Sequence, residues 1–235
     1  MSVKIKFAVF VAVFLWASAY VAIRYGLHFF SPEGLALGRY LIASLFLLLV
    51  FWRLPEKSAV SLKDLLGMMA LGAIGIGIYN IALNYGELTV SSGIASFIIS
   101  QSPVITAVVA AFLLGEELTL RRLLGFFISI FGVALIAFSH DNHFAWDYHL
   151  LYILIATLIS GFYSVLQKPF LKKYRAIETT TYIIWGATIF LLFYLPTLRH
   201  DLTHMSWPGI ATILYLGIFP AALAYMAWRD RKSVV

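Results

Sequence analysis

The sequence predicts an all-α, polytopic transmembrane helical bundle, and three observations carry that prediction. Hydrophobic residues make up 62% of the chain against 12% charged, at a mean hydropathy of +0.91, which is more apolar surface than one soluble core can hide. Eight long apolar windows follow one another: 7–23, 34–52, 65–86, 88–115, 123–139, 148–167, 179–198 and 205–228. A hydrocarbon core of about 30 Å needs roughly 20 helical residues, so these windows read as eight spans. The basic residues between them alternate sides. With a cytoplasmic N-terminus, Arg24, Arg39 and Arg199 fall outside and the other fourteen of the seventeen Lys and Arg fall inside.

That distribution is the positive-inside bias of an N-in, C-in chain, and it explains the net charge of +6 without an acidic partner. The expected partner is therefore the lipid bilayer and not nucleic acid, and the expected location is the bacterial inner (plasma) membrane. The absence of cysteine excludes disulfides and thiolate chemistry. Lys4 and Lys6 before an apolar run and Ala17-Ser18-Ala19 also fit a signal peptide. Trp16 inside the would-be cleavage region, and apolar character continuing to Ile23, argue for a retained first span.

Span one carries Trp16, Tyr20 and Arg24 at i, i+4 and i+8, a stripe that turns slowly around the helix. Trp16 lies deep enough for a cavity wall, whereas Arg24 reads more simply as a snorkelling cation. Ser31-Pro32-Glu33 opens span two, with Pro in the first turn. Arg39 follows about one turn inside. A cation at the bilayer centre costs about 2.5–3.5 kcal/mol on insertion scales, which makes intramembrane Arg a functional suspect. Either Arg39 pairs with Glu33, or it reads a carboxylate or phosphate on a solute.

In span three, Gly67, Gly72, Gly75 and Gly77 permit close helix packing. Asn80, Asn84 and Glu87 share a face beyond them, and this is either one wall of a wet path or a set of interhelical hydrogen bonds. Span four places Ser92, Ser96, Ser100 and Pro103 on one face. Pro103 removes an N–H and frees the Ile99 carbonyl, so a helix break with a cavity or contact is expected there. The serines alternatively bond their own preceding carbonyls. Gln101 joins the wall only if the helix breaks. Glu116 and Glu117 with Arg121 and Arg122 read as a charged cytoplasmic turn before span five.

Span six offers Thr157, Ser160, Ser164 and Gln167 on one face beside Tyr163; span seven offers Tyr182 and Trp185, and span eight Tyr215 and Tyr225. Of these aromatics, Tyr163 and Trp185 sit far enough inside to line a cavity. The loops His140-Asp141-Asn142-His143 to His149 and His200-Asp201 to His204 gather imidazoles and carboxylates on the outer face. Neither carries the helical pair of His with a Glu that zinc hydrolases use, so no metal and no cofactor are expected.

Ser102-Pro103-Val104 with its Ala/Val-rich helix, Leu114-Gly115-Glu116 with Leu118-Thr119, and Gly125 to Gly132-Val133-Ala134-Leu135 stand in order. With Trp16-Ala17-Ser18 to Tyr20 and Arg39-Tyr40, this pattern resembles the EamA-like branch of the drug/metabolite transporters over nearly the whole chain. The resemblance implies ten spans and a small-molecule solute, with amino acids or related metabolites, often exported, as the implied class.

An internal repeat is also visible. Ala19-Tyr20 against Phe162-Tyr163, Arg39-Tyr40 against Thr181-Tyr182, and Leu71-Gly72 against Leu216-Gly217 give offsets of 143, 142 and 145. Five spans in the first unit would make the second enter from the opposite side, as in inverted-repeat transporters. The expected units are residues 1–139, with five helices, and 148–235, with three. From Arg229 the chain reads Arg-Asp-Arg-Lys-Ser-Val-Val without a second Ser-Pro to Gly-Glu segment, so the second repeat is expected to be incomplete.

The expected function is thus a secondary transporter working by alternating access, driven by an ion gradient or the solute's own. Trp16, Tyr20, Asn80, Ser96, Ser100, Tyr163 and Trp185 would line its cavity, and Arg39 would orient an anionic group. Homodimerisation is left open. The alternatives are a non-transporting fragment or scaffold, and a membrane-embedded enzyme. The last lacks a G-x-S-x-G elbow, an H-E-x-x-H helix or an aspartate cluster, so no catalytic residue is assigned.

Overall fold

A computed structural model describes residues 3–115, 124–125, 127–128, 131–132 and 147–225. Most of the expected fifth span, Glu116 and Glu117, Arg121 and Arg122, the His140–His143 loop, and Arg229, Arg231 and Lys232 lie outside the described residues. Every regular element among the described residues is helical. In order these are α1 (Val3–Gly26), α2 (Pro32–Trp52), α3 (Leu62–Gly72), a π segment (Ala73–Ile78) and α4 (Tyr79–Gly86), then α5 (Ser92–Ile99) and α6 (Ser102–Leu114). After 147 come α7 (His149–Leu166), α8 (Lys168–Lys173), α9 (Ala176–Leu191), a 3₁₀ turn (Leu192–Tyr194), α10 (Leu195–Thr203), α11 (Trp207–Ile218) and a second π segment (Phe219–Leu223).

Six of the resulting rods are long and apolar enough to cross a membrane, and Trp207–Leu223 is a shorter apolar helix. The span boundaries follow local chemistry. Ser31, Ser61 and Ser91 stand in extended backbone and accept from the N–H three residues on, capping α2, α3 and α5. Gly115, at φ 67°, terminates α6 in the left-handed conformation that glycine adopts without strain. Pro103 falls in the first turn of α6, and the helix stops at Ile99 and restarts at Ser102, so span four is two helices.

At the centre lies α2, packed against α4, α9, α10 and α11. Its first half is enclosed, with Gly34 to Tyr40 all buried, whereas Leu45, Leu48, Leu49 and Trp52 of its second half are exposed, as suits a lipid-facing surface. Around it, Phe10, Phe14 and Val21 of α1 point outward and exposed, as suits a surface solvated by lipid tails. Two close approaches fix the neighbours. A Cβ on Gly72 would strike the Ile183 carbonyl of α9, and one on Gly217 of α11 would lie 2.7 Å from the Arg39 carbonyl of α2.

The connections on either side of α2 are each tied to the C-terminal half by a carboxylate. The Ser31 N–H and hydroxyl donate to Asp201 at 3.0 and 2.7 Å, and the Ser58 N–H and hydroxyl donate to Glu178 at 2.7 and 2.7 Å. A larger residue than glycine at position 34 would collide with the Asp201 carboxylate.

Gly72→Ala is expected to lower stability by about 1–3 kcal/mol through overpacking, read as an earlier melt of the purified protein in detergent. Gly93, whose Cβ would meet open space, is the control, and Gly93→Ala should melt no earlier than wild type. An unshifted melt for Gly72→Ala would contradict the close α3–α9 approach.

Candidate functional site

A cavity of about 650 Å³ opens between α1, α2, the π segment with α4, the α5–α6 break and α7. That volume lies within the range of small-molecule pockets, about 300–1,000 Å³. Trp16, Tyr20, Arg39, Asn80, Ser100 and Tyr163 all line it, with Pro103 at the helix break. The two other residues singled out from sequence stand elsewhere. Ser96 is half-buried on α5, its hydroxyl donating to the Gly93 carbonyl at 2.9 Å. Trp185 borders a separate apolar groove with Ser44, Leu65 and Met69, stacked edge-on against Phe51 and Tyr182.

Arg39 anchors the polar wall. It is 4% exposed, yet its Nη1 donates to Asn80 Oδ1 at 2.9 Å, and its guanidinium carbon lies 5.1 Å from the Tyr40 ring centroid. Asn80 in turn donates through Nδ2 to the Tyr40 hydroxyl at 2.9 Å and to the Ile76 carbonyl at 2.8 Å. Arg39 Nε has no hydrogen-bond partner among the described residues. Glu33, the other partner weighed for Arg39, instead accepts the Tyr85 hydroxyl. The arrangement is a delocalised cation held by neutral dipoles at the cavity edge, with donor capacity unused. A planar anion such as a carboxylate matches such a donor.

The Ile76 carbonyl belongs to the π segment, and the second π segment supplies a counterpart. Trp16 Nε1 donates to the Pro220 carbonyl at 3.3 Å, and the Trp16 ring meets Tyr225 edge-on at 5.4 Å. Both π segments thus offer a main-chain acceptor to a cavity residue. Sequence reasoning missed them; Gly75, Gly77 and Pro220, which loosen the i to i−4 ladder, were the available signals.

Other expectations resolve as local bonds. Ser100 lines the cavity while donating to Phe97 O at 2.6 Å, and Gln101 turns back to Phe97 O at 3.2 Å although the helix does break there. Asn84 donates to the Pro32 carbonyl at 2.7 Å, an interhelical bond away from the cavity. Ser160 and Ser164 of α7 and Gln167 just beyond its end line the cavity, whereas the Thr157 hydroxyl bonds back to Ile153 O at 2.7 Å. Arg24 Nη1 donates to the main-chain carbonyls of Glu87 and Val90, in the turn that follows the span Leu62–Gly86. Among the described residues no group of three His, Asp or Glu is placed to hold a metal ion.

Six helices long and apolar enough to cross a membrane define an integral, multi-pass membrane protein, and a part-polar, solute-sized cavity lies within its bundle. The model of the EamA-like transporter family matches residues 4–138 and 148–229, and the chain belongs to that family. It is 39% identical over 213 residues to the "Uncharacterized transporter YdfC" of Bacillus subtilis, covering 91% of this chain and 69% of that one. The "Probable terminal-alkyne amino-acid exporter" of Streptantibioticus cattleyicolor is 33% identical, over 96% of this chain and 75% of its own. The "Probable amino-acid metabolite efflux pump" of Escherichia coli is 26% identical, over 92% and 74%. A solved crystal structure that is 19% identical superposes at a TM-score of 0.65, covering 97% of this chain and 79% of that one, and so shares the fold.

Asn80→Ala should reduce stability by about 1.5–3 kcal/mol, because it strips a buried charge of its acceptor and leaves the Tyr40 hydroxyl unserved. Asn84→Ala removes a neutral bond and should cost about 1 kcal/mol. Thermal melts in detergent decide the matter, and an equal or reversed order would contradict the Arg39–Asn80 anchor.

Proposed function

We propose that this protein is a secondary transporter that exports small metabolites of the amino-acid class by alternating access. The observation that carries the reading is Arg39, a buried guanidinium with Nε unpartnered at the edge of a cavity that Trp16, Tyr20 and Tyr163 also line. In this reading Arg39 pairs with a solute carboxylate, the aromatic rings cover its apolar part, and Ser100 with the α7 hydroxyls serve its remaining polar groups. The names of the Streptantibioticus and Escherichia relatives support amino acids or their metabolites as the class and export as the direction. No catalytic residue, metal or cofactor enters the proposal.

The proposal includes an inverted repeat made of residues 1–139 and 148–235, with the site between them. Paired contacts support it. Gly72 meets α9 and Gly217 meets α2, with 217 minus 72 equal to 145. Asp201 holds Ser31 while Glu178 holds Ser58, with 201 minus 58 equal to 143. Contacts in which i meets j′ and j meets i′ are what a two-fold relation produces. The π segments begin at Ala73 and Phe219, 146 residues apart. Rocking of one unit against the other would then expose the cavity to either side. The orientation proposed is N-in: Lys57 and Lys172 cytoplasmic, Asp201 outside.

Two measurements test this reading. Purified protein in liposomes should take up a radiolabelled amino acid, with Arg39→Lys and Arg39→Ala both losing roughly tenfold to a hundredfold in apparent affinity, since an ammonium cannot replace the planar fork. Equal uptake by all three proteins would remove Arg39 from the site. Separately, single cysteines at 57 or 172 should resist an impermeant maleimide added to intact cells, and one at 200, where the His200 side chain beside Asp201 is 80% exposed, should react. Labelling at 57 from outside would invert the proposed orientation.

A further inference from the structure

Two glutamates are buried among the described residues, and they are served very differently. Glu178 has both oxygens occupied, by Ser58 N and Oγ and by Arg175 N at 3.3 Å. Glu87 is 0% exposed, its Oε1 has no partner, and its Oε2 receives the Ser92 hydroxyl at 3.2 Å. The cation beside it, Arg24, is committed to main-chain carbonyls, those of Glu87 itself and of Val90 at 3.1 Å. A carboxylate in such surroundings is under-solvated, and the neutral acid is the favoured form.

The Ser92 hydroxyl has a second acceptor, the Tyr20 carbonyl on α1, at 3.1 Å. One hydroxyl hydrogen cannot fully serve both. When Glu87 is ionised, Oε2 is the stronger acceptor and holds that hydrogen. When a proton from the aqueous phase sits on the carboxyl, the acid O–H becomes a donor to Ser92 Oγ, and the Ser92 hydrogen is released to Tyr20 O. Ser92 opens α5, the helix that ends at the break beside Ser100, and Tyr20 lines the cavity.

We propose that Glu87 is a proton-binding site whose protonation state sets whether Ser92 ties α5 to α1 at Tyr20. The groups that act on it are Arg24 and Tyr20 from α1 and Arg39 from α2, while α5 brings the neutral Ser92. From α7, the His149 carbonyl lies against Gly86, and the His149 ring is held by Asp147 at 2.8 Å. Glu87 follows the span Leu62–Gly86, and burial pushes its carboxyl up to about 8 against the opposing pull of Ser92, Arg24 and Arg39. The acid is therefore neutral below that pH and charged above it, so the α1–α5 tie is made on the acid side and loosened on the alkaline side.

The natural absence of cysteine permits a clean test on the full chain. Spin labels at Val21→Cys on α1 and Gly93→Cys on α5, both exposed positions, report the distance between the two helices by pulsed electron resonance. Between about pH 6 and about pH 10, two units either side of the midpoint near 8, the distribution should lengthen. Glu87→Gln should hold the short distance at every pH, Ser92→Ala should hold the longer one, and Glu87→Asp should retain a pH-dependent change. An infrared titration of the unlabelled wild type, which needs no variant, should show a protonated carboxyl band lost over the same range. A distance in wild type that ignores pH, or the same pH shift in Glu87→Gln, would overturn the proposal, as would an infrared titration with no protonated carboxyl near neutrality.

Discussion

A guanidinium inside an apolar bundle is stable only where protein dipoles stand in for water, and that requirement at Arg39 organises what surrounds it. Asn80 must present Oδ1 to the cation, so its amide nitrogen is left to find acceptors, which it does at Tyr40 and at Ile76 O. Reaching Ile76 O is compatible with a helix whose ladder has slipped to π register, and Gly75 and Gly77 make that register sterically easy. Helix position is fixed in turn. Gly217 lets α11 come against the Arg39 carbonyl, so the same short stretch of α2 is gripped from both sides. The polar anchor and the tight packing are one arrangement.

The cavity takes its form from interrupted helices. Span three slips at the π segment, span four breaks at Ser100–Gln101, and the last described helix slips again at Pro220. Irregular backbone at membrane depth is tolerated where it is buried in protein or borders a polar space, and each interruption here supplies or flanks a cavity-lining residue. Glu87 and Ser92 connect this space to the far end of span three, because Ser92 stands between a buried carboxyl and the Tyr20 main chain.

Much of this was legible in the sequence, and for definable reasons. Apolar windows of bilayer length give the all-helical membrane class directly, since in lipid only internally bonded backbone can span. Helical spacing also gathered Trp16 with Tyr20, and Ser160 with Ser164, each pair on the cavity side. Trp185 shows the limit: depth within a span says nothing about the helix's rotation, and its ring faces Phe51 and Tyr182 rather than the cavity. Ser96 fell to a local bond with the Gly93 carbonyl of its own helix. The partners of Arg24 were not legible because they are main-chain carbonyls more than sixty residues away, which carry no side-chain signature. The expected fifth span and the His140–His143 loop lie outside the described residues.

The central claim is that Arg39 reads a carboxylate within the cavity. Ligand-induced stabilisation of the purified protein tests it without transport, by comparing a panel of amino acids with their uncharged carboxamides across a melting series. A ligand bound only by the folded state raises the melting temperature with concentration. The account predicts a rise with the acids, little or none with the amides, and no such distinction in Arg39→Ala. Equal stabilisation of wild type by an acid and its amide would contradict it.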